Sequence, residues 1–248
     1  MLTPTTIPQK LADLGLAGMA AALLRQQADP TMTIMPFEQR LGLLLDEELN
    51  SRDNRRINRL MKQAKLRYNQ AALEDVDYRS GRGLDRLQIQ TLAGGEWMRQ
   101  RQNLILTGPT GTGKSWLACA FGQQACRQGL LTYYTTATRL FEDLANSLLD
   151  GTLPKRRRQL ARLPLLIIDD LGIGGIDPRL GPILLEILDQ QSMEGALIIT
   201  SQYPPEKWYD LFGDPTVADA ILDRIVHRAH LMALKGESMR KLRGKKTG

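Results

Sequence analysis

A glycine-rich stretch that ends in lysine and serine is the part of the chain best suited to chemistry. It matches the P-loop pattern, in which four variable residues separate a glycine from Gly-Lys-Ser. The backbone N–H groups of such a loop surround phosphates at a helix N-terminus, the lysine neutralises the β- and γ-phosphate oxygens, and the serine hydroxyl ligates Mg²⁺. We therefore expect ATP and Mg²⁺ to bind at Gly108, Pro109, Thr110, Gly111, Thr112, Gly113, Lys114 and Ser115.

Two carboxylates follow an apolar run further along the chain. Residues 165–168 are typical of a buried strand, and Asp169 and Asp170 end it. Downstream of a P-loop, the first acid is expected to hold Mg²⁺ through water, and the second to orient and deprotonate the attacking water. A strand that merely ends in a polar turn would give the same pattern, but the P-loop upstream favours the catalytic interpretation.

A third apolar run, Ile198-Ile199-Thr200-Ser201-Gln202, also ends in polar side chains. It is expected to end between the first two motifs, where a polar group can hydrogen-bond the attacking water or the γ-phosphate. We predict this sensor role for Gln202.

The elements that must position these residues alternate between strand and helix from residue 103 onwards. Such an order implies a parallel sheet covered by helices on both faces. The predicted strands are residues 103–107, 130–136, 165–169, 196–201 and 231–234, and the predicted helices are residues 84–99, 116–128, 138–149, 180–192 and 217–230.

The first 80 residues have a different pattern. Residues 11–25 and 37–72 carry apolar side chains at helical spacing, and prolines lie between the two stretches. Ser80-Gly81-Arg82-Gly83 marks a linker. We therefore predict an α/β P-loop core over residues 81–248, preceded by a small all-α N-terminal domain over residues 1–80.

Basic residues are concentrated in a few places. The net charge is +6, and eighteen of the 33 basic residues fall within residues 52–67, 155–162 and 235–246. Such clustering favours a polyanion, and the scarcity of aromatic neighbours favours the backbone of duplex DNA over stacked single strands. A solvated basic face without a ligand is the alternative. The candidate DNA-binding residues are Arg52, Arg55, Arg56, Arg59, Arg67, Lys155, Arg156, Arg157 and Arg158.

Membrane insertion and disulfide bonding are not expected. The chain has no run of about eighteen uncharged apolar residues, and residues 1–10 lack a basic segment followed by an apolar one. These features predict a cytoplasmic protein. Cys119 and Cys126 lie on one predicted helix, separated by about 10 Å along its axis, so they are expected to be buried free thiols.

In this order, the motifs resemble those of AAA+ ATPases of the DnaA/DnaC clade, and more closely those of the IstB-like helper ATPases of insertion-sequence transposition. The resemblance implies an AAA+ core with a parallel five-stranded sheet between helices. The chain departs from larger AAA+ proteins in one respect: it ends soon after the last predicted strand, so no C-terminal helical lid is expected. Besides the three motifs above, it is carried by Arg82-Gly83-Leu84-Asp85 and by Leu222-Asp223-Arg224-Ile225-Val226-His227-Arg228-Ala229-His230.

The resemblance also implies roles for two late arginines. Arg224 matches an arginine that reaches the γ-phosphate of a neighbouring subunit, although it could instead pair with Asp219 or Asp223 at the surface. Arg240, in Ser238-Met239-Arg240, resembles a C-terminal nucleotide-sensing arginine of helicase loaders, although it could equally contact DNA. The implied activity is ATP hydrolysis by a homo-oligomer that assembles on target DNA, with ATP sites at subunit interfaces, and assists a transposase. The N-terminal domain would contact DNA, the transposase or both.

Three other functions fit parts of the same pattern. A DnaC-like loader of a replicative helicase would have nearly the same core. A P-loop kinase of small molecules would share the P-loop and Asp169, but it would need an acceptor pocket and an arginine-bearing lid. A non-cycling, ATP-dependent DNA scaffold would result if Asp170, one methylene shorter than the glutamate of many AAA+ proteins, hydrolysed ATP too slowly to matter.

Overall fold

A sheet of five parallel strands forms the centre of the fold. The computed structural model describes residues 6–78, 81–173 and 176–239. Within these ranges the strands are β1 (Asn103–Thr107), β2 (Thr132–Thr136), β3 (Leu165–Leu171), β4 (Ala196–Ser201) and β5 (Ala229–Ala233). Their order is β2-β3-β4-β1-β5, and every pairing is parallel. The predicted α/β class and parallel sheet are confirmed.

Ten α-helices are found in the described ranges, and none of them is long and apolar enough to cross a membrane. Short 3-10 turns occur at Pro30–Ile34, Leu73–Asp75, Pro178–Leu180, Pro205–Lys207 and Tyr209–Leu211. The helices are α1 (Ile7–Asp13), α2 (Ala17–Ala28), α3 (Phe37–Ala64), α4 (Arg86–Ala93), α5 (Glu96–Arg99), α6 (Lys114–Arg127), α7 (Ala137–Leu149), α8 (Leu153–Ala161), α9 (Gly181–Glu194) and α10 (Pro215–Val226).

Apolar side chains on both faces of the sheet explain why these segments form buried strands. Leu104 and Leu106 of β1 join a core that contains Phe121 of α6, whereas Ile105 joins a second core that contains Leu144 of α7. Successive residues of a strand point to opposite faces, so a run of consecutive apolar residues places side chains in both cores. This continuous pattern is typical of parallel strands covered on two sides.

The chain divides into two compact units within α3, between Arg59 and Leu60, and not near residue 80 as expected. The reason is packing. Leu60, Ala64 and Leu66 belong to the same hydrophobic core as Leu104 of the sheet. The end of α3 and the segment after it are therefore part of the larger unit, and the smaller unit ends at Arg59.

Several predicted helices were wrong in their extent. The helix predicted over residues 11–25 is interrupted between Asp13 and Ala17, and the one predicted over residues 84–99 is interrupted between Ala93 and Glu96. The helix expected over residues 37–72 stops before Lys65, whose positive φ of 53° does not continue a right-handed helix. The helix expected over residues 217–230 ends at Val226, and β5 already begins at Ala229. There, pairing with the edge of β1 outweighs a helical apolar pattern.

Candidate nucleotide-binding site

The P-loop joins β1 to α6, in the strand–loop–helix context that its sequence predicted. Gly113 directly precedes Lys114, the first residue of the helix, so the loop presents the N–H groups of a helix N-terminus. Gly108, Gly111 and Gly113 have φ values of 138°, 85° and 97°. Side chains are strained in this region of φ, and glycine is not. The path of the loop therefore requires these three glycines.

The segment after β5 packs directly against this loop. A Cβ atom at Gly108 would collide with the carbonyl oxygen of Leu234, and one at Gly111 would collide with the side chain of Ser238. The main-chain N–H of Met239 donates a hydrogen bond to the carbonyl of Gly111, at 2.8 Å. Residues 234–239 therefore support the P-loop. The sequence had marked Gly236-Glu237-Ser238 and Ser238-Met239-Arg240 only as parts of the resemblance.

Lys114 is a buried cation at the start of α6, with 5% of its surface exposed. Its Nζ donates to the carbonyl oxygens of Gly108 and Pro109, at 2.8 and 3.0 Å. Burial lowers the pKa of Lys114, while the charges of Asp170 and Asp169 act in the opposite direction. A buried ammonium group is costly unless anionic oxygens compensate for its lost hydration. This environment fits the phosphates of ATP.

A second cation, Arg82, lies beside the loop. Its Nη2 donates to the carbonyl oxygen of Thr112 at 2.7 Å, and its Nη1 donates to that of Asp77, also at 2.7 Å. Thr112 is buried, and its hydroxyl donates to the carbonyl oxygen of Pro109 at 2.9 Å. From the sequence, Arg82 was expected in a linker and in one motif of the resemblance, and the structure makes it a support of the P-loop.

The two acids form a β-bulge near the end of β3. The register between β3 and β4 shifts between Ile168 and Leu171, so that Asp169 and Asp170 together lie opposite the single residue Thr200. Asp170 has a φ of 60°, a left-handed conformation that aspartate tolerates better than most residues. Bulges of this kind redirect side chains next to active sites. Two neighbouring carboxylates can thereby take different roles.

Asp169 is fully buried and accepts hydrogen bonds from two hydroxyls. The Thr200 hydroxyl donates to Asp169 Oδ1 at 2.5 Å, and the Tyr134 phenol donates to Oδ2 at 2.6 Å. Such short distances are typical of hydroxyls bound to a charged carboxylate. The Thr200 oxygen also accepts from the main-chain N–H of Asp170, at 2.9 Å. Burial, reinforced by Asp169, raises the pKa of Tyr134, so the phenol remains a neutral donor.

Ser115 and Asp169 fit a Mg²⁺ ion. Ser115 lies in the first turn of α6, and Mg²⁺ prefers oxygen ligands, often one or two from the protein together with water and substrate phosphates. Each oxygen of Asp169 accepts one hydrogen bond from a hydroxyl, which leaves further lone pairs for metal-bound water. In the described parts of the chain, no three His, Cys, Asp or Glu side chains form a metal-binding group. The donor set therefore suits a metal that arrives with the nucleotide.

Gln202 directly follows β4 and is partly exposed. The strand end before it is firmly held, because the buried Ser201 hydroxyl donates to the carbonyl of Leu171 at 2.7 Å and accepts from the Trp208 indole at 3.2 Å. Thr200 is the residue of β4 that contacts the acids, and neither Thr200 nor Tyr134 was predicted as a site residue. The only available signal was a polar side chain within a buried strand. The sensor role of Gln202 stays a prediction.

Arg224 lies on α10 and forms an ion pair within the chain. Its Nε donates to Asp189 Oδ1 of α9 at 2.6 Å, and its Nη1 lies 3.6 Å from Asp223 Oδ2. The hydrogen bond to Asp189 raises the pKa of Arg224. The sequence had offered Asp219 or Asp223 as surface partners, but the closer partner is on a different helix. The Arg224 side chain is 35% exposed and remains accessible from solvent.

A buried asparagine fixes the end of α10 that carries Arg224. The Asn103 Nδ2 group donates to the main-chain carbonyls of Arg224 and Ile225, at 3.0 and 2.9 Å, and its Oδ1 accepts from the N–H of Leu197 at 3.1 Å. Asn103 thus connects β1, β4 and α10. Arg240, the predicted nucleotide-sensing residue, lies outside the described residues.

The candidate DNA-binding residues of α3 are only partly free. Glu48 has a buried side chain that accepts from Arg52 Nε at 2.8 Å and from Arg55 Nη2 at 3.1 Å. Both arginines are nevertheless more than half exposed, at 57% and 55%. Arg56 and Arg59 are exposed residues of the same helix. The basic face exists, but Glu48 offsets part of its charge.

Arg67 has a different environment from the other basic candidates. Its guanidinium carbon lies 5.6 Å from the centre of the Tyr68 ring. Tyr68, with smaller contributions from Tyr134 and Asp169, raises the pKa of Arg67. Among the basic candidates, Arg67 is thus one whose charge interacts with the buried Asp169 of the nucleotide site.

Two arginines of α8 are anchored to neighbouring helices, and α8 itself was not predicted. Arg156 Nη2 donates to Asp143 at 3.1 Å and to the Tyr133 hydroxyl at 3.2 Å. Arg157 forms an ion pair with Glu186. The exposed basic residues of this helix are Lys155 and Arg158.

Both cysteines are buried and unpaired, as predicted. Burial raises the pKa of each thiol, and that of Cys119 to about 11. Protonated, buried thiols behave as small apolar side chains.

Comparison with known proteins shows the family to which this chain belongs. The model for IstB-like ATP binding proteins matches residues 9–247. An insertion-sequence ATP-binding protein of Sinorhizobium fredii is 43% identical over 247 residues, which is 100% of both chains. The ATP-binding protein of insertion sequence IS1162 from Pseudomonas fluorescens is 48% identical over 82% of this chain and 88% of that protein.

A solved structure supports the fold independently of these relatives. AMPPCP-bound DnaA from Aquifex aeolicus is similar to this chain with a TM-score of 0.58 and 22% identity, over 71% of this chain and 55% of that one. At this identity the likeness concerns the AAA+ P-loop fold alone. Together with the P-loop, the two acids and the family match, it identifies an ATP-binding AAA+ protein that belongs to the IstB-like family of insertion sequences.

Proposed function

We propose that this chain is a Mg²⁺-dependent ATPase whose ATP-bound subunits assemble on duplex DNA and assist the transposase of an insertion sequence. The observation that carries the proposal is a buried lysine, Lys114, at the N-terminus of α6, with Asp169 and Asp170 near the end of β3, in a chain of this family. Strand transfer would belong to the transposase, and ATP hydrolysis would belong to this chain.

The proposed hydrolysis uses five side chains. Phosphate oxygens replace the two carbonyl oxygens that accept from Lys114. The Ser115 hydroxyl and Asp169 hold Mg²⁺, which when bound offsets the charge on the phosphate oxygens. Asp170 orients the attacking water and accepts its proton, while Gln202 contacts that water or the γ-phosphate.

Arg224 completes the site of a neighbouring subunit in this proposal. In the single chain it pairs with Asp189, and the two side chains are 35% and 48% exposed. Exposed ion pairs of this kind contribute only about 1 kcal/mol or less. Little free energy therefore opposes the exchange of Asp189 for a γ-phosphate. Because an arginine supplied in trans stabilises the transition-state charge, hydrolysis becomes conditional on assembly.

Duplex DNA would bind mainly through its phosphates. Contacts of this type depend strongly on salt, because each neutralised phosphate releases condensed counterions. The strongest of the basic candidates are those whose side chains lie exposed on a helix. They are Arg52, Arg55, Arg56, Arg59, Lys155 and Arg158.

Assembly is tested by imaging the purified chain with duplex DNA and a non-hydrolysable ATP analogue, together with sedimentation. We expect DNA-bound oligomers only when nucleotide and duplex are both present. The matched control is Lys114→Ala, which should lose nucleotide binding and assembly together. A chain that remains monomeric under every condition contradicts the proposal.

Turnover and association separate this function from its alternatives. ATP turnover that rises with duplex DNA supports a cycling ATPase, whereas turnover that stays negligible indicates a scaffold. Stable co-purification with a replicative helicase, and not with a transposase, would indicate a loader. Turnover that responds to a small hydroxylic acceptor and ignores DNA would indicate a kinase.

A further inference from the structure

Tyr134 of β2 reaches the buried carboxylate of Asp169 across the sheet. In the β2–β3 register, Tyr134 pairs with Ile167, and Thr136 pairs with Asp169. Because side chains alternate along a strand, Tyr134 lies on the same face as Asp169, one diagonal step away. The phenol donates to Asp169 Oδ2 at 2.6 Å. This contact is long-range in sequence and depends on the strand order.

The carboxylate is held from both neighbouring strands. β3 lies between β2 and β4, and Thr200 of β4 donates to the other oxygen, Oδ1, at 2.5 Å. One donor on each oxygen prevents rotation of the carboxylate about its terminal bond. The Tyr134 side chain itself is fixed, because the residue is only 8% exposed and packs in the core beside α6. The orientation of Asp169 is thus set in the chain without nucleotide.

We propose that Tyr134 is a positioning residue for the Mg²⁺-nucleotide site and acts by holding the Asp169 carboxylate in the orientation that the metal's water ligands need. The inference rests on the proposed function, which places Mg²⁺ at Asp169. Partners that orient a metal-binding carboxylate raise metal affinity, and their removal typically costs ten- to a hundredfold. A preset carboxylate also avoids the entropy loss of being ordered when the ligand arrives.

A purely structural role for the phenol would have a different signature. A hydroxyl that only satisfies a buried carboxylate contributes to folding stability, and its loss would not make nucleotide affinity more dependent on Mg²⁺. The decisive measurement is therefore the affinity for a fluorescent ATP analogue as a function of Mg²⁺ concentration, with EDTA as the metal-free reference. This is a binding measurement and does not require hydrolysis.

The variant is Tyr134→Phe, and the strand supplies its own control. Tyr133 packs on the opposite face of β2, where its hydroxyl accepts from Arg156, so Tyr133→Phe removes a hydroxyl from the same strand without touching Asp169. We expect Tyr134→Phe to need about tenfold or more Mg²⁺ for half-maximal nucleotide binding, with unchanged affinity in EDTA. Tyr133→Phe should match the unaltered chain in both conditions.

Each outcome bears on a specific statement. A Mg²⁺ dependence in Tyr134→Phe equal to that of the unaltered chain overturns the inference, and so does an equal loss of affinity with Mg²⁺ and with EDTA. If the unaltered chain binds nucleotide without any Mg²⁺ dependence, the proposed function fails instead. Should the variant be partly unfolded, trimethylamine N-oxide favours the compact state without restoring the hydroxyl, and the Mg²⁺ shift must persist in its presence.

Discussion

Replacement of Thr200 by valine is the sharpest test of how the two acids are held. Valine has nearly the same shape as threonine, so the change removes a hydroxyl and leaves the packing of β4 in place. Two hydrogen bonds are lost together, one to Asp169 Oδ1 at 2.5 Å and one from the N–H of Asp170 at 2.9 Å. Thr200→Ser is the matched control, because it keeps the hydroxyl and loses only a methyl group.

The expected magnitudes differ enough to be separated. A hydrogen bond to a charged group contributes about 1.5–3 kcal/mol, and a buried donor left without a partner costs about 1–3 kcal/mol. Asp170 is only partly buried, so its N–H can regain some hydration and the lower end applies to it. We expect Thr200→Val to lower the free energy of unfolding by about 2–4 kcal/mol. Loss of one buried methyl in Thr200→Ser should cost about 1 kcal/mol.

Urea unfolding followed by tryptophan fluorescence measures this difference. Trp97, Trp116 and Trp208 are the three tryptophans of the chain, and all belong to the larger unit, so the signal reports on the sheet that carries the site. Both variants are measured without nucleotide. If Thr200→Val is as stable as Thr200→Ser or more so, the two hydrogen bonds do not hold the acids and the reasoning is refuted.

Three other perturbations test the site and its surroundings. Asp170→Asn should retain nucleotide binding and DNA assembly but slow phosphate release by about a hundredfold or more, because asparagine tolerates the positive φ and cannot accept a proton; unaltered release would exclude Asp170 as the base. Arg224→Ala should leave the nucleotide affinity of monomers unchanged and lower the turnover of assembled protein by about a thousandfold. Asp189→Asn should preserve that turnover, and equal losses in both variants would assign Arg224 a structural role. Burial raises the pKa of Cys119 from 9.0 to about 11, so stability should decrease as pH rises through this interval, where the unfolded thiol is already ionised; urea unfolding of Cys119→Ala should lack that part of the pH dependence.

Residue type alone was sufficient to predict the P-loop and the sheet. Gly108, Gly111 and Gly113 adopt values of φ that disfavour other residues, and the apolar runs of β1, β3 and β4 have the composition of strands buried on both faces. These constraints are local, so a single segment of sequence expresses them. Helix α8, which carries Lys155, was not predicted. Four consecutive basic residues interrupt the spacing of its apolar side chains, so the local pattern does not indicate a helix.

Contacts between distant segments could not be predicted in the same way. A bulge adds one residue to a strand, and nothing in the run that ends at Asp169 and Asp170 marks the extra residue. The partners of Asp169 are Tyr134, earlier in the chain, and Thr200, later in the chain. Their identity follows from strand order, which the order of elements along the chain does not specify.

That strand order also explains how the catalytic groups come together. β4 is the fourth strand along the chain, yet it lies between β1 and β3 in the sheet. The carboxyl ends of β1, β3 and β4 therefore meet at one edge, where ligands of parallel sheets bind. The P-loop follows β1, and the two acids lie near the end of β3. Thr200 is on β4, the strand between these two, and its hydroxyl donates to the Asp169 carboxylate and accepts from the main-chain N–H of Asp170. A displacement of β4 would consequently change the orientation of the Asp169 carboxylate and shift the backbone of Asp170 at the same time. The position of this one strand therefore couples the proposed metal ligand to the proposed base.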